Sequence, residues 1–412
     1  MRIVLAILFL SWAGVRGATI TVTSRLSDAL DRAQNGDTLL VQGPREFHEH
    51  LVVQKSIRIT GANSPVLDGD GIGSPLTIVA TNVEIRGLII RNSGPDLAAF
   101  DAGVMITAAH VTIRDCQIEN DAFGIYVRGV EQCAIQNNEI VGNPAIPSAR
   151  RGNGIHLWKT RRNHIEGNRI HDKRDGIYFS FADNNVITEN RVWDNRFGIH
   201  YMYSHQNQLL ENTLTKNAIG ATLMFSRDSL IERNHVFANR RHGILLKQVD
   251  RSRILRNEIT GQNRGLFIQQ ATRNRFEGNL IATNDIGLYL SNCSEQNVFV
   301  RNSFIANTDQ VWQPPYETER GRLGPNSFSE KAGGNYWSDY TGQDRNHDGI
   351  GDTPYHETDV FGYIVERHPE ARLLALSPAV ALLRKSEELL PALDTIGVTD
   401  LAPLVKPMTP LK

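Results

Sequence analysis

Residues 175–213 read DGIYFSFADNNVITENRVWDNRFGIHYMYSHQNQLLENT. Two passes of one pattern are visible: Gly-apolar-x-apolar at Gly176 and Gly198, with an asparagine 14 residues after each, Asn190 and Asn212. Extended outward, the pattern recurs at Gly103, Gly124, Gly154, Gly220, Gly243, Gly265 and Gly287. Across the nine glycines the spacings are 21, 30, 22, 22, 22, 23, 22 and 22, the long interval holding the inserted loop NPAIPSARRGN. Asn138, Asn168, Asn234, Asn257, Asn279 and Asn302 keep the same register, with Cys116 in the equivalent slot one repeat earlier.

A period near 22 that holds short alternating strands and polar turns marks a solenoid. The LxxLxLxxN pattern of leucine-rich repeats is missing. The chain is therefore expected to be all-β, a right-handed parallel β-helix whose coils stack at about 4.8 Å. Ile113, Ile135, Ile165, Ile187, Leu209, Ile231, Ile254, Phe276 and Phe299 form an apolar column for its interior. The asparagines would stack at bends, where Asn tolerates left-handed backbone.

A solenoid needs covers at its ends. Leu26, Ala29, Leu30 and Ala33 share one face of a short helix expected around 25–34, suited to roofing the first coil. A loop near 93–100 interrupts the early coils. Ahead of them, MRIVLAILFLSWAGVRGA resembles a secretory signal peptide over 1–17, cleaved near Gly17 or Ala18. The β-helix is expected over 18–310, an irregular extension over 311–370, and a helix with a Pro-rich tail over 371–412. No later stretch offers the roughly 18–20 apolar residues of a membrane span, so an exported, soluble chain is expected.

Lys and Arg number 44 against 45 Asp and Glu, which argues against a nucleic-acid partner. Three cysteines, Cys116, Cys133 and Cys293, are too few for a disulfide framework, and there is no CxxC.

Chemistry is expected on the outside of the coils. If Ile199 and Tyr201 face inward, His200 and Met202 face out, and the repeats turn them into two stripes. One reads Tyr126, His156, Tyr178, His200, Thr222, Leu245, Phe267 and Tyr289; the other reads Arg128, Trp158, Ser180, Met202, Met224, Lys247, Gln269 and Ser291. No carboxylate stands among these sixteen positions, while Asp175 and Asp194 border the face at turns. Met202 and Met224 should be neighbours, with His200 and His156 nearby. Thioether and imidazole donors without carboxylates suit a soft ion such as Cu(I); an apolar groove lined by Tyr126, Trp158, Tyr178, Phe267 and Tyr289 is the plainer reading.

Elsewhere, His48 and His50 read as a surface pair. Asp344, Asn346, Asp348 and Asp352 stand at positions 1, 3, 5 and 9 of an EF-hand-like loop with Gly349 at position 6, but Tyr355 replaces the position-12 glutamate. A structural Ca²⁺ loop and a metal-free turn cluster both remain open. Ser377 and Pro378 start a C-terminal helix whose Val380, Leu383, Leu389 and Leu390 would dock on a partner or pack back on the coils.

Exported β-helices that act on acidic polysaccharides are the rival class, as uronan lyases or epimerases. Glycoside hydrolysis normally needs two flanking carboxylates, and the stripes supply none. Residues 175–213, with GIHYMYS, and GGNYWSDYTGQDRNHDGIGDTPY (333–355) resemble the NosD family, periplasmic accessory proteins of nitrous oxide reductase maturation. That resemblance, over about 20–370, implies a right-handed β-helix that is not an enzyme. It implies a copper-handling or docking subunit working with the permease and ATPase of an ABC transporter in assembly of the reductase's copper–sulfur clusters. The apo-reductase and a copper chaperone are the further partners implied, with the chain peripheral to the inner membrane through the permease.

Overall fold

Each repeat makes one coil of three strands. In one coil the chain runs through Phe197–Met202, Gln208–Leu210 and Thr213–Thr215, then enters the next at Ile219. Equivalent strands pair in parallel and build three long sheets. Sheet A, containing Gln208–Leu210, has 13 strands; sheet B, containing Thr213–Thr215, has 13; sheet C, containing Phe197–Met202, has 12. The computed structural model describes residues 17–291, 293–313, 325–357, 364, 368–374, 377–389 and 398–408. The expected all-β solenoid with coils of about 22 residues is the architecture observed.

The interior is built from stacked columns. Every residue of the apolar column from Ile113 to Phe299 is fully buried in sheet A, as are Ile199 and Tyr201 in sheet C. The repeated glycines have a different cause from the usual one, since none of the nine has positive φ. A Cβ at Gly176 would lie 2.6 Å from the Gly198 carbonyl oxygen, and one at Gly198 would lie 2.5 Å from that of Gly220. Glycine is required because the next coil's backbone occupies the space.

Asparagines line all three corners rather than one. At Asn190 the backbone N–H donates to Asn212 Oδ1 at 3.0 Å, while Nδ2 donates to the same oxygen and to the Ile165 carbonyl. Matching ladders run through Asn163, Asn185 and Asn207, and through Asn195, Asn217 and Asn239. Buried corner groups are thereby satisfied coil by coil. Cys116 and Cys133 take ladder positions, donating N–H to Asn138 and Asn163. Burial pushes both thiols up to about 11, so they are packing groups.

The N-terminal end is roofed by the helix Leu26–Arg32, with Leu26, Ala29, Leu30 and Ala33 buried. The Glu49 carboxylate accepts the Leu26 and Ser27 N–H groups at its start. The signal segment 1–16 lies outside the described residues.

The C-terminal end departs from one expectation and takes one of two left open for the tail. The coil pattern does not stop at 310: Tyr336–Trp337 adds to sheet B beside Ser303–Ile305. Phe328 stacks on Phe299 at 4.9 Å, Trp337 on Phe304 at 4.4 Å, and Asn335 extends the ladder from Asn302. The tail, for which docking on a partner and packing back on the coils were both open, returns over 398–408. Val398–Asp400 pairs antiparallel with Tyr355–Glu357, and buried Asp400 accepts N–H groups from Asn335 and the Trp337 indole. The reason is physical: an uncovered last coil would leave its aromatic core and strand edge in water. Among the described residues, no helix is long and apolar enough to cross a membrane.

Candidate functional site

The outer face of sheet C carries the candidate residues. Met202 and Met224 are direct register partners on adjacent coils, and both side chains are half-buried. The four candidate copper ligands do not converge as one set, however. His156 and His200 are separated by Tyr178, whose ring lies 4.8 Å from one imidazole and 5.0 Å from the other. Two strand spacings place the imidazoles about 9–10 Å apart, too far to share an ion.

Each histidine has its own surroundings. His156 packs on Tyr126 at 4.4 Å, and its Nδ1 lies 3.3 Å from the Asn153 amide. Burial lowers its pKa to about 3, partly offset by Asp175, so the ring is neutral at physiological pH. His200 is 5% exposed, and its Nδ1 lies 3.1 Å from Asp175 Oδ2. Arg196 grips the same carboxylate from Nε at 2.8 Å and Nη2 at 2.7 Å. Burial alone would raise the Asp175 pKa, but the hydrogen bonds from His200 and Arg196 outweigh it and hold it below the usual range. An ionised carboxylate only accepts, so Nδ1 of His200 carries a proton. Among the described residues, Nε2 of His200 is buried without a hydrogen-bond partner.

Asp175 is thus the residue that sequence reasoning misplaced. It opens the strand Asp175–Ser180 rather than sitting in a turn, within a third outward column that also holds Phe197, Ile219 and His242. The available signal was the residue before each glycine, a position the two-stripe alternation passes over.

The expected groove is a filled ridge along much of its length. Leu97 and Phe100, from the loop near 93–100, pack over Tyr126 and Phe123. Trp158 lies beneath Arg128 at 5.2 Å and Lys159 at 4.7 Å. Phe267 and Tyr289 pack at 4.6 Å, with the Arg264 guanidinium over both rings.

The acidic loop folds on its own N–H groups. Asp344 accepts from Asp348 and Gly349, Asp348 from Ile350, and Asp352 from Arg345. Asn346 accepts from the Asp348 N–H at 3.2 Å, and Gly349 turns at φ +87°. These are Asx-turn hydrogen bonds. The group of His, Asp and Glu donors that converges among the described residues is elsewhere, at His48, Asp68 and Asp70, within 4.8 Å of one another. Register explains it, because His48 pairs with Asp68 on the next coil. The Asp70 hydrogen bond raises the His48 pKa, while Arg91, Asn92 and the Asp70 N–H occupy the Asp68 carboxylate. The group is an ion-pair network.

In the helix Pro378–Leu389, Ser377 Oγ accepts the Val380 N–H at 3.3 Å, as its N-cap role requires. Val380 is buried and Leu383 half-buried. Leu390 and the Leu389 side chain lie outside the described residues.

Residues 144–342 match the family model described as "Periplasmic copper-binding protein (NosD)", and 54–230 match "Protein of unknown function (DUF1565)". A Pseudomonas aeruginosa protein named "Probable ABC transporter binding protein NosD" is 32% identical over 418 residues, covering 98% of this chain and 94% of that one. The chain belongs to the NosD family. A Stutzerimonas stutzeri NosD of the same name is 31% identical, covering 88% of this chain and 85% of its own. The matched NosD segment contains His156, Asp175, His200, Met202 and Met224. Among solved structures, the A-module of mannuronan C-5 epimerase AlgE4 from Azotobacter vinelandii has a TM-score of 0.58 at 15% identity, covering 75% of this chain and 98% of that module. A GH87 α-1,3-glucanase unit from Streptomyces thermodiastaticus has a TM-score of 0.56 at 12% identity, covering 80% of this chain and 69% of its own. These likenesses are of fold.

Proposed function

We propose that the chain is a non-enzymatic periplasmic subunit that handles copper beside an ABC transporter, its permease and its ATPase. The cargo's destination in this reading is the copper–sulfur clusters of nitrous oxide reductase. The observation that carries it is the Met202–Met224 pair: two half-exposed thioethers in register on adjacent coils. Soft thioether donors favour Cu(I), and an open two-thioether contact suits an ion that is passed on. His200, held by Asp175 and with its Nε2 unpartnered among the described residues, is the adjacent nitrogen donor; His156 belongs to the aromatic packing on Tyr126. The copper names of the family and the transporter names of its relatives support the same reading. Against the carbohydrate-enzyme reading, the buried carboxylate on this face is already engaged by Arg196 and His200.

Anaerobic Cu(I) titration against a chromophoric chelator tests it. The Met202→Ala/Met224→Ala variant should lose at least tenfold in affinity while keeping its fold. Unchanged affinity removes the site, and turnover of alginate or pectin by the wild-type chain overturns the class.

A further inference from the structure

From Gly129 to Gln270, the residue that follows each sheet C strand lies in the left-handed region. Phe181, Tyr203 and Phe225 fill that position on three consecutive coils, at φ +53°, +50° and +52°. Bulky side chains are uncommon there and strain the backbone. The same position on neighbouring coils is Gly129, Lys159, Gln248 and Gln270, so the fold does not ask for rings there. The three rings are also on the outside. Phe181 is 53% exposed and Tyr203 42%, and they stack nearly parallel at 5.3 Å, with Tyr203 and Phe225 at 4.7 Å.

Stacking uses up the ring faces and leaves the edges facing out. Met202 and Met224 directly precede Tyr203 and Phe225, so thioethers border the ring edges and widen the apolar strip. Cations bracket the strip along the solenoid axis. Arg128 and Lys159 stand at one end and Lys247, the register partner of Met224, at the other. None of the three makes an ion pair among the described residues, whereas acids further round the corner are engaged, Asp228 by Arg251 and Asp183 by the His205 N–H. Four strand spacings separate Lys159 from Lys247, about 19 Å, which matches roughly six residues of extended chain.

We propose that this strip docks a segment of a partner protein with an apolar centre and carboxylates at both ends. Rings and thioethers bury the centre, and the unpaired cations meet the flanking acids. The strip shares Met202 and Met224 with the proposed copper contact, but its rings and flanking cations need no metal to bind a peptide.

Fluorescence anisotropy with the full chain and labelled eight-residue peptides tests it. Asp-Asp-Leu-Phe-Met-Leu-Asp-Asp should bind at least tenfold tighter than the same centre flanked by lysines. Phe181→Asn/Tyr203→Asn/Phe225→Asn should abolish that difference without lowering thermal stability, since Asn suits the left-handed corner. Lys159→Glu/Lys247→Glu should invert the peptide preference. The inference is overturned by equal binding of both peptides, by unchanged binding to the Asn variant, or by unfolding of that variant, which would make the rings staples of the fold. Repeating the measurement without copper separates this outcome from failure of the Met202–Met224 site.

Discussion

Sheets A and C enclose the same interior and present unlike exteriors. The outer side of sheet A is laced with ion pairs: Arg114 meets Glu84 at 2.6 Å, Arg256 meets Glu232 at 2.7 Å, and Arg275 meets Glu277 and Glu330. The outer side of sheet C carries Tyr178, His200, Met202 and Met224, with the buried Asp175 locked by Arg196. Beneath both faces run fully buried aliphatic columns, Ile187 and Leu209 under A, Ile199 and Ala221 under C. Stability therefore resides in what the two faces share, and the special chemistry in what differs. A solenoid permits this division because each outward side chain is replaceable without disturbing the coil beneath.

The largest expected effect comes from breaking what the faces share. Gly198→Val places side-chain atoms where the Gly220 carbonyl lies, 2.5 Å from a Cβ. Overpacking of this kind should cost about 3 kcal/mol, read as a fall in urea midpoint; an unchanged midpoint would refute the close-contact account of the glycine column. Next comes a residue that sheet C buries and sheet A has no counterpart for. His156 titrates near 3 in the fold, by burial, against 6.5 in the open chain. The unfolded chain thus takes up a proton that the fold refuses, so stability is intact above pH 6.5 and lost as pH falls toward 3. Between pH 7 and 4.5 this group should remove about 2.5 kcal/mol, and His156→Phe should flatten the slope in urea titrations by that amount; parallel slopes would show that the imidazole is solvated. The smallest effect is expected on the outside of sheet A. Arg256→Ala removes an exposed pair with Glu232 and should change stability by no more than about 0.5 kcal/mol; a loss of several times that would mean the ion-pair rows hold the coils together.

Much of this molecule is legible in its residues, and the gaps have specific causes. The glycine and asparagine registers announced the coil, and alternation placed Ile199 and Tyr201 inside and His200 and Met202 outside. Leu26, Ala29, Leu30 and Ala33 announced the roof. Asp175 escaped because the residues before the glycines form a third column, where simple alternation counts two. His48, Asp68 and Asp70 escaped because they meet across coils, 22 residues apart. The returning tail escaped because Asp400 finds Asn335 and Trp337 more than 60 residues earlier, a pairing no local pattern encodes.

The sequence by itself determined the repeat length, the coil register and the side of the sheet each residue faces, since those follow from covalent spacing and a two-residue period. Only the tertiary structure decided which outward groups touch. It put Met202 against Met224 as the repeat predicts, yet set Tyr178 between the two histidines and tied His200 to Asp175. Those meetings depend on how neighbouring coils fill one another's space, and spacing along a chain does not carry that information.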